Sequence, residues 1–402
     1  MLIGMEKQFC LTGANLMNKI PRISPVQLAF LAVVSAIMFP YTFLPILNAP
    51  PANQDVWIVL LLSFVFMIIM NFPMLFFANK FMGININDTF EIITGKIGGK
   101  IVSSCFVLLS VFCFISCMVI TAIFINIYIL PETPVWGSLI FILLPITYGI
   151  YKGAGTIGRL STFILPFILL TIIFFTLMGI PQMKLSALTP ILADSKLTDI
   201  VKGAFFTAAR YSEVTIIFVF SFYLKKTKSI NKAYFGGLIL FGIAMMLILM
   251  PTLLLLGEGL AKLSNNPYYM YTRQVGGFDF IQRVQSFNIL AWFMGTIIKL
   301  MIYGYMATYI FAGIIKKKTQ KFYIVPLAII AFFACQLKIY NKSSTISFIS
   351  SDRFFPWVVA FITFVIPTIV FIIYIIRKKK INEILTEKRE EKESAEKTSN
   401  LT

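Results

Sequence analysis

Histidine is missing from the 402-residue chain, and charged residues make up only 13% of it. Without imidazole groups, the chain lacks the side chain that most often acts as a general base or zinc ligand. Soluble domains usually carry about 25% charged residues, so the low charge argues against a soluble protein. The five cysteines form no CxxC pair and are typical of packing residues. We therefore expect no enzymatic activity, catalytic residue, metal ion or cofactor.

Apolar residues, in contrast, make up 58% of the chain, and the mean hydropathy is +0.86. A helix needs about 20 apolar residues to cross a bilayer, and its backbone must be hydrogen-bonded within the membrane. The sequence therefore predicts an all-α polytopic membrane protein. Its ten predicted spans cover residues 26–47, 56–79, 100–129, 134–151, 157–180, 199–224, 232–257, 286–315, 321–338 and 353–376.

The 35 Lys and Arg residues fall mostly on one side of these spans. Because basic loops stay in the cytoplasm, both termini are predicted to be cytoplasmic. The chain then divides into an amino-terminal segment (1–24), a transmembrane domain (25–376) and a charged cytoplasmic tail (377–402), which we interpret as a solvated helix or a disordered anchor. The net charge of +18 comes mainly from basic residues beside the spans, which set the topology and face anionic lipid headgroups. We therefore expect no nucleic-acid partner.

Two prolines, Pro40 and Pro45, interrupt the first predicted span. Each removes a backbone donor and clashes with the preceding turn, so we expect a break near Phe39 to Tyr41. A break at that depth exposes carbonyl and N–H groups that can hold a cation and an anion. Phe39, Pro40 and Tyr41 are therefore candidate ligand-binding residues, although a proline kink that serves packing alone is the competing interpretation.

Three ionisable residues fall inside predicted spans. Arg210 and Glu213 share one face of span six, and Lys299 lies near the middle of span eight. Each costs about 2.5 to 3.5 kcal/mol at the bilayer centre, so all three must face partners or water inside the bundle. Their excess positive charge would be removed by a bound carboxylate or by a deprotonated lysine. A purely structural ion pair of Glu213 with Arg210 or Lys299 is the alternative.

Span three carries a stripe of small polar residues at helical spacing, which adds Cys113 and Cys117 to the candidate site. Close helix packing also explains such a stripe. Three residues beside the charges of span six complete the candidate set: Phe206, Thr207 and Tyr211.

The longest predicted outer loop runs from Glu258 to Arg283 and is rich in tyrosine, which is typical of a lid or a docking surface. Ten spans also divide into two inverted halves of five, about 25–180 and 199–376. Aligning the halves places the predicted break in span one opposite the charges of span six. Since span six lacks a central proline, the sequence leaves open whether that helix is unwound.

Short motifs along nearly the whole chain, from Ile23 to about Ile376, carry a resemblance to a known family. The motifs are Ile23-Ser24-Pro25-Val26-Gln27, Asp55-Val56-Trp57, Arg159 with Pro166, Leu188-Thr189-Pro190, Glu213, and Phe278-x-Phe280-x-x-Arg283 followed by Trp292.

In their order and spacing these motifs resemble the spore germination permease family, the B subunits of nutrient germinant receptors. That family is similar to amino-acid, polyamine and organocation permeases, which implies a five-plus-five inverted repeat of the leucine-transporter type. The resemblance also implies a nutrient-sensing subunit in the inner membrane of a spore-forming bacterium, where it works with A and C subunits.

We therefore expect a small nutrient, an amino acid above all, to bind at the midplane between spans one, three, six and eight. Its carboxylate would lie near the N–H groups after Pro40 and near Lys299 or Arg210, and its ammonium near Glu213 and the carbonyls before Pro40. Apolar walls would come from Phe39, Tyr41, Phe206 and Tyr211. Two alternatives stay open: a proton-coupled amino-acid permease in which Glu213 or Lys299 titrates, and a ligand-gated cation pathway.

Overall fold

The computed structural model describes residues 23–224, 229–275, 284–317, 319–336 and 355–399. Within these ranges the chain is almost entirely helical, with one isolated β-bridge between Ile23 and Leu224 and no strand. The helices are α1 (Pro25–Thr42), α2 (Val56–Lys80), α3 (Ile86–Tyr128), α4 (Val135–Lys152), α5 (Ala154–Gly179), α6 (Leu197–Tyr211), α7 (Val214–Ser221), α8 (Ile230–Leu263), α9 (Pro267–Val275), α10 (Gln285–Ile314), α11 (Ile324–Gln336), α12 (Phe355–Ala360) and α13 (Ile366–Ser399).

Nine helical segments in the described ranges are long and apolar enough to cross a membrane. The sixth predicted span consists of α6 and α7, and the tenth of α12, a π-helical turn (Phe361–Val365) and the start of α13. The ninth is the shorter apolar segment Lys321–Gln336, which ends where the described residues end. The all-α transmembrane fold class is confirmed, and the count of ten spans stays a prediction.

The first helix begins at a capping box. The Gln27 N–H donates to Ser24 Oγ at 3.1 Å, and the Ser24 N–H donates to Gln27 Oε1 at 2.9 Å. Pro25 occupies the first turn, where its missing N–H costs nothing. The motif at residues 23–27 thus sets the start of α1.

The predicted break at Phe39 to Tyr41 is wrong, because α1 continues through Pro40 to Thr42. The Phe43 N–H still donates to the Phe39 carbonyl at 3.1 Å, so Pro40 removes only its own hydrogen bond. Membrane helices tolerate such a loss when neighbouring helices supply partners. The helix ends one turn later: Leu44 has a φ of 47°, and a 3₁₀ turn (Pro45–Asn48) follows.

The sixth span, in contrast, is interrupted. Ser212 is extended, with φ −73° and ψ 98°, and Glu213 has φ −101° and ψ 20°, so α6 ends at Tyr211 and α7 begins at Val214. The Ser212 hydroxyl donates to Asn71 Oδ1 in α2 at 2.5 Å, which holds the interruption in place. A hydrogen bond between helices, and no proline or glycine, accompanies this break.

The interrupted span lies at the centre of the bundle. In its most apolar window 89% of the residues are buried, against 33% for α5. The first helix packs against α5, α8 and α10, while α3 lies along α10. Arg210 and Glu213 near the middle of span six therefore face protein, as the cost of burying charge in lipid requires.

The charged tail continues the tenth span as one helix, because α13 runs from Ile366 to Ser399. The Arg377 guanidinium donates to the Ile93 carbonyl at 2.5 Å and joins the start of the tail to α3. The tail is thus helical as far as Ser399, and the domain boundary predicted at residue 377 is not marked by a helix end.

Gly203 allows α6 to approach the loop after α1. A Cβ atom at this position would lie 1.9 Å from the Pro50 carbonyl oxygen, so the backbone would have to move. We expect Gly203→Ala to lower the melting temperature of the purified protein by several degrees, since overpacking costs about 1–3 kcal/mol. Gly236→Ala is the matched control, because nothing lies within 4 Å of its Cβ position. Equal melting temperatures for the two variants would contradict this packing.

Candidate functional site

A cavity adjoins the interruption of the sixth span. It contains about 870 Å³ of space free of protein atoms, including its open mouth. Its lining comes from α1, α3, α6, α7, α10 and the tenth span. Six of the residues predicted from the sequence line it: Phe39, Cys113, Cys117, Arg210, Glu213 and Lys299.

The other five candidate residues lie elsewhere in the bundle. The Tyr41 hydroxyl donates to Asn288, and Phe206 packs on Trp357 with ring centroids 5.4 Å apart. Tyr211 lines a second, smaller cavity, which also reaches Glu213. Pro40 and Thr207 are buried in α1 and α6. A role for these five in ligand binding stays a prediction.

Glu213 is the centre of a hydrogen-bond network. Its Oε1 accepts from the Ser35 hydroxyl at 3.0 Å and lies 3.3 Å from Lys299 Nζ, while its Oε2 accepts from the Tyr303 hydroxyl at 2.8 Å. The residue also precedes the first turn of α7, where the helix dipole stabilises a negative charge. Donors from two other helices therefore satisfy this carboxylate.

Lys299 joins three parts of the bundle. Besides its contact with Glu213, its ammonium donates to the Ser35 carbonyl in α1 at 2.6 Å. It also lies 5.6 Å from the ring centres of Phe39 and Tyr303, within the range of a cation–π contact. The Lys299 and Glu213 side chains are only 8% and 10% exposed. The ion pair that the sequence left as an alternative is thus formed, and it is buried.

Two further polar groups border the cavity. Arg210 is 8% exposed and adds a second cation to the cavity lining. The buried Thr215 hydroxyl has no hydrogen-bond partner among the described residues. Buried polar groups are normally paired, so this hydroxyl is available to a ligand. The described lining thus combines a buried ion pair, a second cation and an unsatisfied hydroxyl.

Sequence reasoning missed Ser35, Tyr303 and the contribution of the tenth span, Val359 and Thr363. Tyr303 lies four residues after Lys299 and therefore shares its helix face, which was a usable signal. Ser35 is one of the few polar residues in the first span, so its position was also a usable signal. The tenth span carries no central charge, so nothing in its sequence separates cavity-facing from lipid-facing residues.

Within the predicted outer loop, α9 packs against the bundle, while the loop's first residues, to Leu263, belong to α8. Tyr268 packs edge-on against Tyr41 with ring centroids 4.8 Å apart, and Asn288 Nδ2 donates to Thr272 Oγ1 at 3.1 Å. This segment therefore contacts both α1 and α10. The rest of the loop, residues 276–283, lies outside the described residues, so its function as a lid or docking surface stays a prediction.

Two of the motifs noted in the sequence meet on the predicted outer side. Both Asp55 carboxylate oxygens accept from the Leu192 N–H at 3.1 Å, and one also accepts from the Ser195 hydroxyl. Beside them, Gln54 Nε2 donates to the Pro190 carbonyl at 2.6 Å. These contacts fasten the connection between the two halves to the start of α2. The motif residues Phe278, Phe280 and Arg283 lie outside the described part of the chain.

Comparison with known proteins identifies the family and the fold of the chain. A family model described as spore germination protein matches residues 22–343. No curated protein matches the chain significantly.

Among solved structures, the chain is similar to Mhp1, a nucleobase-cation-symport-1 family transporter in a closed conformation with bromovinylhydantoin bound. The TM-score is 0.55 and the sequence identity 14%, and the match covers 79% of this chain and 73% of the Mhp1 chain. A mutant manganese transporter of Eremococcus coleocola has a TM-score of 0.52 and 10% identity, covering 86% and 76%. Identities this low show the fold alone, which is of the leucine-transporter type.

Lys299→Met tests the buried ion pair. The change leaves the Glu213 carboxylate buried without its cation, and breaking such a pair costs about 3–5 kcal/mol. We expect a clearly lower melting temperature in detergent, and partial recovery in the double variant Lys299→Met/Glu213→Gln. Lys316→Met is the control, because its pair with Glu91 spans 3.6 Å with the lysine side chain 65% exposed, and exposed pairs contribute about 0–1 kcal/mol. Equal effects of the two lysine variants would refute the network.

Proposed function

Because the chain belongs to the spore germination protein family, we propose that it is the nutrient-sensing subunit of a germinant receptor in the inner membrane of a spore. Its ligand in this proposal is an amino acid. The observation that supports the proposal most is the cavity at the interrupted sixth span, where Glu213 lies beside Lys299 and Arg210. The family supplies the link to germination, and the cavity supplies the place for a ligand.

The charges of the cavity suit a zwitterion. An ammonium group needs the acceptors that Lys299 now uses, the Glu213 carboxylate and the Ser35 carbonyl. A ligand ammonium would therefore take the place of the Lys299 ammonium, and the released lysine would pair with the ligand carboxylate. Every buried charge then keeps a partner, as burial requires.

One predicted contact of the ligand is revised, the contact between its carboxylate and the backbone N–H groups after Pro40. Since α1 is helical through Pro40, the N–H groups that follow it donate within the helix and are not offered to a carboxylate. The interruption at residues 212–213 provides the helix terminus instead, at the start of α7. We assign the ligand carboxylate to the two cations and to this positive end of the α7 dipole.

The same exchange supplies a signal. Lys299 connects α1, the interruption and α10, so its displacement would change how these elements hold one another. A ligand shifts a conformational equilibrium only through such differential contacts. We propose that the shift reaches partner A and C subunits through α9, which packs against α1 and α10. Both chain termini are cytoplasmic in this arrangement.

Transport is the second candidate function, and the fold that the chain shares with membrane transporters favours it. In a proton-coupled permease the displaced Lys299 or Glu213 would exchange a proton during the cycle. Accumulation of labelled amino acid in proteoliposomes under a pH gradient would identify that activity. Ligand-dependent current without amino-acid flux would instead identify a cation pathway.

Glu213→Gln tests the proposed function directly. Removing the only carboxylate among the described residues of the cavity lining should weaken amino-acid binding by about 30-fold or more, since truncating a buried charge pair costs about 2–5 kcal/mol. The readout is the thermal shift of the purified protein against a panel of L-amino acids, nucleosides and sugars. We also expect spores carrying the variant to lose the nutrient response when compared at matched amounts of the protein in their membranes.

Glu258→Gln is the matched control. It makes the same change in α8 at a side chain that is 43% exposed and does not line the cavity. Its dose response should equal that of the unmodified protein. An unchanged dose response for Glu213→Gln would remove this carboxylate from the ligand site.

A further inference from the structure

One apolar cluster of the molecule is separate from the main core. Its four buried members come from the end of α1, from α3 and from the tenth span: Phe43, Leu109, Ile120 and Val359. All four also line the cavity beside Glu213. The cavity is therefore bordered by charged groups from the sixth and eighth spans and by a compact apolar surface from the first, third and tenth.

The tenth span contributes this surface through an irregular segment. Val359 is 7% exposed and lies in α12, two residues before the π-helical turn Phe361–Val365 begins. Within that turn Thr363 also lines the cavity, but its hydroxyl donates to the Val359 carbonyl at 2.8 Å. That hydroxyl is thus already satisfied by its own helix. Turns of this kind are rare and are frequent at functional sites.

A polar ligand group would gain nothing from this surface. Burying an unpaired polar group against apolar side chains is unfavourable, whereas an aliphatic group gains roughly in proportion to the area it buries. Val359 is β-branched, and its side chain has few rotamers available in a helix. It therefore forms a stiff part of the wall, which a larger ligand cannot easily push aside.

We propose that the cluster of Phe43, Leu109, Ile120 and Val359 is the side-chain subsite of the cavity, that it selects amino acids with aliphatic side chains, and that Val359 limits their size. This inference rests on the proposed function, because it requires the amino and carboxylate groups of the ligand to lie at Glu213, Lys299 and Arg210. It adds the substrate class and a residue that determines specificity.

Val359→Ala tests the subsite in the full-length protein. Affinities of L-alanine, L-valine, L-leucine, L-asparagine and L-glutamate are measured by thermal shift titration. Removing two methyl groups should move the leucine-to-alanine affinity ratio toward leucine by about tenfold, because one methylene in a hydrophobic pocket is worth at least that factor. Val359→Leu should move the ratio the other way.

Val365→Ala is the matched control, since it removes the same atoms from a residue of the adjoining π-helical turn that is 36% exposed and lies outside the cavity lining. Its affinity ratios should equal those of the unmodified protein. An unmodified protein that binds only asparagine or glutamate would overturn the inference, as would Val359 variants with unaltered ratios, and in both cases amino-acid binding itself stands. If the protein binds none of the five amino acids, the result contradicts the proposed function and, with it, the proposed subsite.

Discussion

The contact between Glu213 and Lys299 is the interaction on which the rest of the structure depends. Burying one of these charges alone would cost several kcal/mol, so each requires the other, and together they require helices close enough to supply further donors and acceptors. Ser35 in α1 and Tyr303 in α10 meet that requirement. The interrupted sixth span places the carboxylate at the start of α7, where the helix dipole adds to its stabilisation.

In the proposed function, a site built in this way pairs its own charges and can still accept a ligand. The ammonium of Lys299 uses the acceptors that a ligand ammonium would need, so binding becomes an exchange of equivalent contacts with little net loss of pairing. The exchange would instead change the free energy of the contact between α1 and α10, because Lys299 in α10 is hydrogen-bonded to α1. The same logic serves a receptor that responds to a nutrient and a transporter that moves one, because both need two arrangements of similar free energy.

Much of this was predictable from the sequence, and the failures have identifiable causes. The high cost of charge in lipid pointed to Arg210, Glu213 and Lys299, and all three line one cavity. The consequence of a proline was not predictable in the same way, because whether Pro40 ends α1 depends on the helices around it. The interruption at Ser212 carries no breaker residue, and the apolar residues of the tenth span look in sequence like those that face lipid.

The most direct test is an experimental structure of the purified full-length protein with a stabilising amino acid bound. The account predicts that the ligand lies beside the interruption of the sixth span, with its ammonium on Glu213 and its carboxylate on Lys299 or Arg210. The distance between Lys299 Nζ and Glu213 Oε1, 3.3 Å in the present arrangement, would then exceed hydrogen-bonding range. A ligand bound at another place, with this ion pair intact, would contradict the account.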